Sequence, residues 1–144
     1  MRASAVATAA LVTLVALTAS AQQAARLVGI SMTVSHASER PGPMDPNAAA
    51  LDRQLRQQFR YESLRVIERR HMQLRMQEVG GMDLPTGKRV QLRPLSLTPS
   101  GVLISVDIPG TLQTDVRVPN RKQVVIGVER YDHGKLIVTL QPDY

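Results

Sequence analysis

Gly101-Val102-Leu103-Ile104-Ser105-Val106-Asp107-Ile108-Pro109-Gly110 carries the clearest periodicity in the chain. Val102, Ile104, Val106 and Ile108 stand at every second position, and a β-strand sends alternate side chains to opposite faces, so all four point one way. Gly101 ahead of the run and Pro109-Gly110 behind it are turn residues that bound it. The stretch reads as a half-buried strand with Leu103, Ser105 and Asp107 on the face away from the core. Downstream, Leu112, Thr114, Val116 and Val118 form the next strand, ended by Pro119-Asn120. Residues 124–128 and 136–140 then read as a hairpin across Tyr131-Asp132-His133-Gly134, with Gly134 at the left-handed position.

The alternation continues upstream. Val90 and Leu92 alternate with Gln91 and Arg93 until Pro94, and Leu84-Pro85-Thr86-Gly87-Lys88 reads as a tight turn with glycine supplying a positive φ. Gly80-Gly81 reads as a break. Ahead of it lie two expected strands, 61–69 with Leu64, Val66 and Ile67, and 71–79 with Met72, Leu74 and Met76, separated by the charged bend Glu68-Arg69-Arg70. Leu27 to Val34 alternates loosely as a first strand. The segment 37–46, with His36 at its edge, is a connector because it holds Pro41-Gly42-Pro43 and Asp45-Pro46.

One helix is expected, over 46–58. Asp45 can accept from the free amides of the first turn, and Pro46 at the first helical position loses nothing by lacking an N–H. Ala48, Leu51, Leu55 and Phe59 fall on one side of the helical wheel, whereas Arg53, Arg56 and Arg60 fall on the other. The fold class is therefore α+β and mostly β: a single domain over 22–144, an antiparallel sandwich or partly open barrel of seven to eight strands with one early helix. A parallel α/β fold would need helices between the later strands, and the pattern shows none.

The 144 residues carry 18 Lys+Arg against 12 Asp+Glu, a formal net charge of +6, and no cysteine. Without cysteine there are no disulfides, no thiolate nucleophile, no iron–sulfur cluster and no cysteine-ligated zinc. Residues 1–21 read as a cleaved secretory signal. Arg2 precedes an apolar stretch from Ala5 to Leu17, and Ala19-Ser20-Ala21 is a small-x-small cleavage site. Thr8, Thr13, Thr18 and Ser20 interrupt the uncharged run from Ala3 to Ala21, so it is too short and too polar for a membrane anchor of about 20 apolar residues. The expected location is outside the cytoplasm, in the periplasm or beyond it, with no transmembrane segment in the mature chain.

Catalytic motifs are missing: there is no G-x-G-x-x-G, G-x-x-x-x-G-K-[ST], H-E-x-x-H or G-x-S-x-G. Asp107 with Asp115, or Asp132 with Asp143, are the carboxylate pairs available for acid–base work, and a solvated carboxylate is the simpler reading of Asp107. Tyr131-Asp132-His133 has the residue types of a proton shuttle but also those of a turn. His36 and His71 have no evident partners. No catalytic, cofactor or metal site is expected, and the reading is non-enzymatic. The basic balance says more. Across 52–75, seven arginines stand against Asp52, Glu62 and Glu68. Guanidinium groups bind carboxylates and phosphates bidentately, so Arg53, Arg56 and Arg60 are the candidate face for an anionic partner: a lipid head group, an envelope polysaccharide or an acidic protein. A merely solvated helix face is the plain alternative. Nucleic acid fits poorly, since Phe59 and three tyrosines leave few rings for stacking on bases.

Thr114 to Val128, TDVRVPNRKQVVIGV, resembles the strand-turn-strand near the end of secretin outer-membrane channel domains, in which T-x-V-x-V-x-[DN]-G-x-x-V-V-I-G-G recurs. It departs at Arg121, where that family has the turn glycine, and at Val128, where it has the second glycine. The layout of the chain is also similar to that of small exported proteins of Gram-negative bacteria: a D-P helix, Phe59-Arg60-Tyr61, an L-P-x-G turn and a V-x-V-P-x-x-x-x-V-V-I-G hairpin. These resemblances imply a periplasmic β-rich domain and transfer no functional residue. The expected function is an exported, non-enzymatic accessory or interaction module of the bacterial envelope, with a secretion or pilus system as its association. The alternative is a small periplasmic hydrolase or carbohydrate-processing enzyme. Intact-mass measurement of protein recovered from the envelope should give the mass of residues 22–144; retention of 1–21 would overturn the export reading.

Overall fold

In a computed structural model, which describes residues 26–144, eight strands form two four-stranded antiparallel sheets. The signal-peptide reading of 1–21 and the start at Gln22 lie outside the described residues. The strands are β1 (Leu27–Ser38), β2 (Ser63–Arg75), β3 (Gly80–Asp83), β4 (Arg89–Thr98), β5 (Gly101–Ile108), β6 (Leu112–Val118), β7 (Val124–Tyr131) and β8 (Gly134–Asp143). Sheet A has the order β2-β1-β8-β7 and sheet B the order β3-β4-β5-β6. The result is an open sandwich and not a barrel.

β5 behaves as its sequence predicts, with Val102, Ile104, Val106 and Ile108 buried between the sheets. They meet Val28, Ile30, Met32 and Val34 of β1 and Leu136, Val138 and Leu140 of β8 in the main core. A second, smaller core lies on the outer face of sheet A, where helix α1 (Ala49–Leu55) sets Leu51 and Leu55 against Ala37, Leu64 and Ile137. β8 is thus covered on both faces, and Leu136 to Leu140 are all buried. A strand buried on both faces reads as a continuous apolar run, which is why its alternation is faint.

Several boundaries differ from the sequence reading, each for a local reason. The helix is shorter than 46–58: Pro46–Ala48 is a 3₁₀ turn, α1 ends at Leu55, and 56–58 are turns. β1 continues to Ser38, so the connector 37–46 begins later and His36 is a strand residue. Residues 61–79 hold one strand where two were expected. Val34 pairs with Glu68 and Ser35 with Val66, leaving Ile67 as a bulge instead of a charged bend. A bulge reverses which side chains face which way. Leu64 and Val66 therefore face the helix, whereas Met72 and Leu74 reach the inter-sheet core.

Gly80-Gly81 is not a break but the start of β3. β4 continues through Pro94, because β3 begins only at Gly80 opposite Leu92 and Pro94 faces the side β3 leaves open, where its carbonyl accepts from the Gln77 N–H at 2.7 Å. The 114–128 stretch is not a hairpin: β6 belongs to sheet B and β7 to sheet A. Arg121, between them, has φ +61°. In the β7–β8 hairpin Tyr131 pairs with Gly134, so the loop is Asp132-His133, and these two residues have φ +40° and +57°. Gly134 is needed for another reason, since a Cβ there would collide with the Ala37 carbonyl of β1.

Truncation of Leu55 or Ile104 to alanine, each fully buried, should cost about 2 to 5 kcal/mol in denaturant unfolding. Gly134→Ala should also destabilise, by forcing β8 away from β1. A negligible effect at Ile104 would contradict the core assignment.

Candidate functional site

The three arginines expected to form one basic face are separated in character. Arg53 and Arg56 are exposed on α1 and its C-terminal turn. Arg56 Nε lies 2.9 and 3.1 Å from the two Asp52 carboxylate oxygens, and its guanidinium stands 5.0 Å from the centre of the Tyr61 ring. The Tyr61 hydroxyl donates to the same carboxylate at 2.6 Å. This group ties the helix to the start of β2, and it neutralises Arg56. The Tyr61 bond, then Arg56, holds Asp52 below the ordinary carboxylate value despite partial desolvation, whereas burial and Asp52 push the Tyr61 phenol up. Asp45 caps the first turn as expected, accepting from Asn47 N at 2.9 Å and also from Val66 N at 3.2 Å. Those two backbone bonds lower its pKa.

Arg60 follows the helix and joins a different constellation. It lines a cleft of about 280 Å³ with Glu39, Phe59, Arg130, Gly134 and Lys135. The residues arrive from four places: the end of β1, the turn after α1, the end of β7 and the start of β8. Their seating follows from two glycines. Gly134 lets the hairpin close on β1, and Gly127 in β7 leaves the space in which the Phe59 ring and the Lys135 stem lie, 3.1 to 3.3 Å from where its Cβ would be. The Lys135 ammonium stands 5.3 Å from the Phe59 ring centre, within cation–π range. Arg130 contacts Glu39 at 3.3 Å, with both side chains mostly exposed, so the pair is weak. Three cations thus face one carboxylate. Beside the cleft, Arg40 Nη2 donates to His133 Nε2 at 2.6 Å, and His133 O accepts from Glu39 N at 2.8 Å.

Sequence reading missed Arg130 and Lys135, which are about 70 residues from Arg60 in the chain. One signal was present: Gly127 interrupts the apolar run Val124-Val125-Ile126-Gly127-Val128, and a glycine inside a strand marks close approach by another group.

The other candidates are dispersed. Asp107 pairs with Gln113 and Ser105 with Asp115, so the two aspartates are diagonal neighbours on the outer face of sheet B. Asp132 is at the hairpin tip and Asp143 at the far end of β8, so they do not converge. His36 is buried, its Nε2 3.0 Å from the Tyr131 carbonyl and its ring edge-on to the Tyr131 ring. His71 Nδ1 lies 3.0 Å from Ser31 Oγ, and its Nε2 lies 3.1 Å from the Gln73 amide nitrogen. That nucleophile-and-imidazole pair joins residues 40 positions apart and was not visible in sequence. Among the described residues, no group of three or more His, Asp or Glu is placed to hold a metal, and no helix is long and apolar enough to cross a membrane.

The Asp52 cluster makes a pH prediction. A carboxyl whose pKa is lower folded than unfolded contributes stability that is full above its ordinary value, 3.8, and is lost as pH falls through the folded value. Asp52→Asn should therefore show a flatter loss of stability below about pH 4 than the wild type, and Tyr61→Phe should cost about 1 to 2 kcal/mol at neutral pH. Identical acid-unfolding curves for Asp52→Asn and wild type would remove Asp52 from this role. No known protein family, characterised protein or solved structure matches the chain.

Proposed function

We propose that this protein is an exported, non-enzymatic interaction module of the bacterial envelope that binds an anionic partner through the Arg60, Arg130 and Lys135 cleft. The observation that carries the reading is the convergence of three cations from separate elements on one recess that holds a single carboxylate. Such a site raises the local potential for anions and is sensitive to salt, because exposed charges are screened beyond a Debye length of about 8 Å at 0.15 M. Export rests on the sequence of residues 1–21, and the association with a secretion or pilus system rests on the secretin-like stretch 114–128.

The competing reading, a hydrolase, has the Ser31 and His71 pair in its favour. The Gln73 amide N–H donates to Nε2, so Nε2 is the acceptor and Nδ1 carries the proton. The imidazole then donates to Ser31 and cannot act as its base. The pair also stands exposed on the outer face of sheet A. Labelling of Ser31 by a fluorophosphonate probe, abolished in His71→Ala, would favour the hydrolase.

In binding to envelope fractions over a salt series, the wild type should associate at low salt and dissociate as salt rises. Arg60→Glu with Lys135→Glu should abolish that association while the melting temperature moves by only a few degrees, because both positions are exposed. Arg53→Glu, outside the cleft, should keep most of the binding. A wild type with no salt-sensitive association would overturn the reading.

A further inference from the structure

Resting on the anion-binding reading above, we propose that the occupant of the cleft is a uronate unit of an acidic polysaccharide: a sugar ring bearing one carboxylate among hydroxyls. The lining carries both halves of that chemistry. Arg60, Arg130 and Lys135 supply cations for a carboxylate, and the planar guanidinium groups can engage it with two parallel hydrogen bonds. Glu39 and Gln58 line the same recess. An ionised carboxylate is an acceptor only, and Arg130 meets just one Glu39 oxygen at 3.3 Å, so Glu39 has acceptor capacity left for a ligand that also presents donors, which hydroxyls are. A compact dianion such as a phosphate monoester would meet Glu39 as a repulsive neighbour and would leave Gln58 unused.

Size and shape point the same way. At about 280 Å³ the recess is just smaller than drug-sized ligand sites, roughly 300 to 1,000 Å³, and fits one sugar-sized unit better than a folded partner. Ala37 and the Phe59 ring add a limited apolar surface of the kind a sugar ring's C–H face covers. A membrane surface is less suitable: Phe59 is half-buried beneath Lys135 and cannot insert among lipids, and the cations face a recess. An acidic peptide bound by strand addition or by an apolar anchor would need a strand edge or a deep apolar pocket in the lining. β7 contributes Arg130 alone to the lining, and no deep apolar pocket opens into it.

The Phe59 ring also fixes where the carboxylate sits. By holding the Lys135 ammonium over its face it keeps a flexible side chain in the recess in advance of binding. Phe59 and Gly127 are in this sense positioning residues for Lys135.

Calorimetric titration of the full mature chain with short oligogalacturonates, neutral dextran oligomers and dextran sulfate, alongside sedimentation with phosphatidylglycerol vesicles, tests the assignment. Oligogalacturonate should bind in a salt-sensitive manner and neutral dextran should not. Lys135→Ala should weaken the uronate about tenfold, as expected for loss of one charge-assisted contact. Glu39→Ala separates the uronate from simple charge attraction, because the two predict opposite signs. A hydroxyl acceptor that is lost weakens uronate binding, whereas removal of a negative charge strengthens a purely electrostatic site. Tighter oligogalacturonate binding by Glu39→Ala, or binding of dextran sulfate or vesicles in place of the uronate, would overturn the uronate assignment and leave the anion-binding reading standing. Failure of every anion to bind a folded wild type would overturn both.

Discussion

The pairing of β1 with β8 is the contact on which the rest of the molecule depends. It runs from Gly29 opposite Asp143 to Ser38 opposite Gly134, ten residue pairs joining the two ends of the described chain. Both strands are central in sheet A, and each presents one face to sheet B and the other to α1. Removing this pairing would split sheet A into the separate pairs β2-β1 and β8-β7 and leave the β3 to β6 meander without one continuous sheet to pack against. The loop that must close to form it is long, so its entropic cost is met only when the two sheets pack together.

That same pairing builds the cleft. Close approach of Gly134 to the Ala37 carbonyl brings the start of β8 against the end of β1, which sets Lys135 and Arg130 beside Glu39. The turn after α1 then delivers Phe59 and Arg60 to the same place, because Leu51 and Leu55 anchor the helix on Ile137. The cleft is thus a by-product of how the hairpin end docks, with Arg130 and Lys135 supplied by β7 and β8 and Arg60 by the turn after α1. A further polar clamp sits at the edge of the sandwich, where Lys88 Nζ lies 2.7 Å from Glu129 of β7 and 2.6 Å from Thr111. Lys88 and then Thr86 hold Glu129 below the ordinary carboxylate value, so the clamp stays charged at neutral pH.

The distribution of charge matters more than its total. Arg56 and Arg89 each have a carboxylate partner within 3.0 Å, and such exposed pairs contribute little stability while removing local charge. Arg60, Arg130 and Lys135 share one weakly paired carboxylate between them at the hairpin end. A count of arginines along the chain points to α1, whereas the arrangement in space points to the cleft.

The sequence by itself determined the class of fold, the strands with one solvated face and the turn chemistry. The alternation of Val102 to Ile108, the Leu84 to Lys88 turn and the Asp45-Pro46 cap are local patterns, each set by residues within one element. Tertiary structure alone decided which strands pair and which residues face one another. Ile67 is a bulge only because β1 fixes the register on both sides of it, and Pro94 is tolerated only because β3 starts too late to pair with it. β8 loses its alternation because α1 covers its second face. The cleft brings Glu39, Arg60 and Lys135 together across long separations, and no local periodicity encodes a contact between residues whose distance in the chain far exceeds one element.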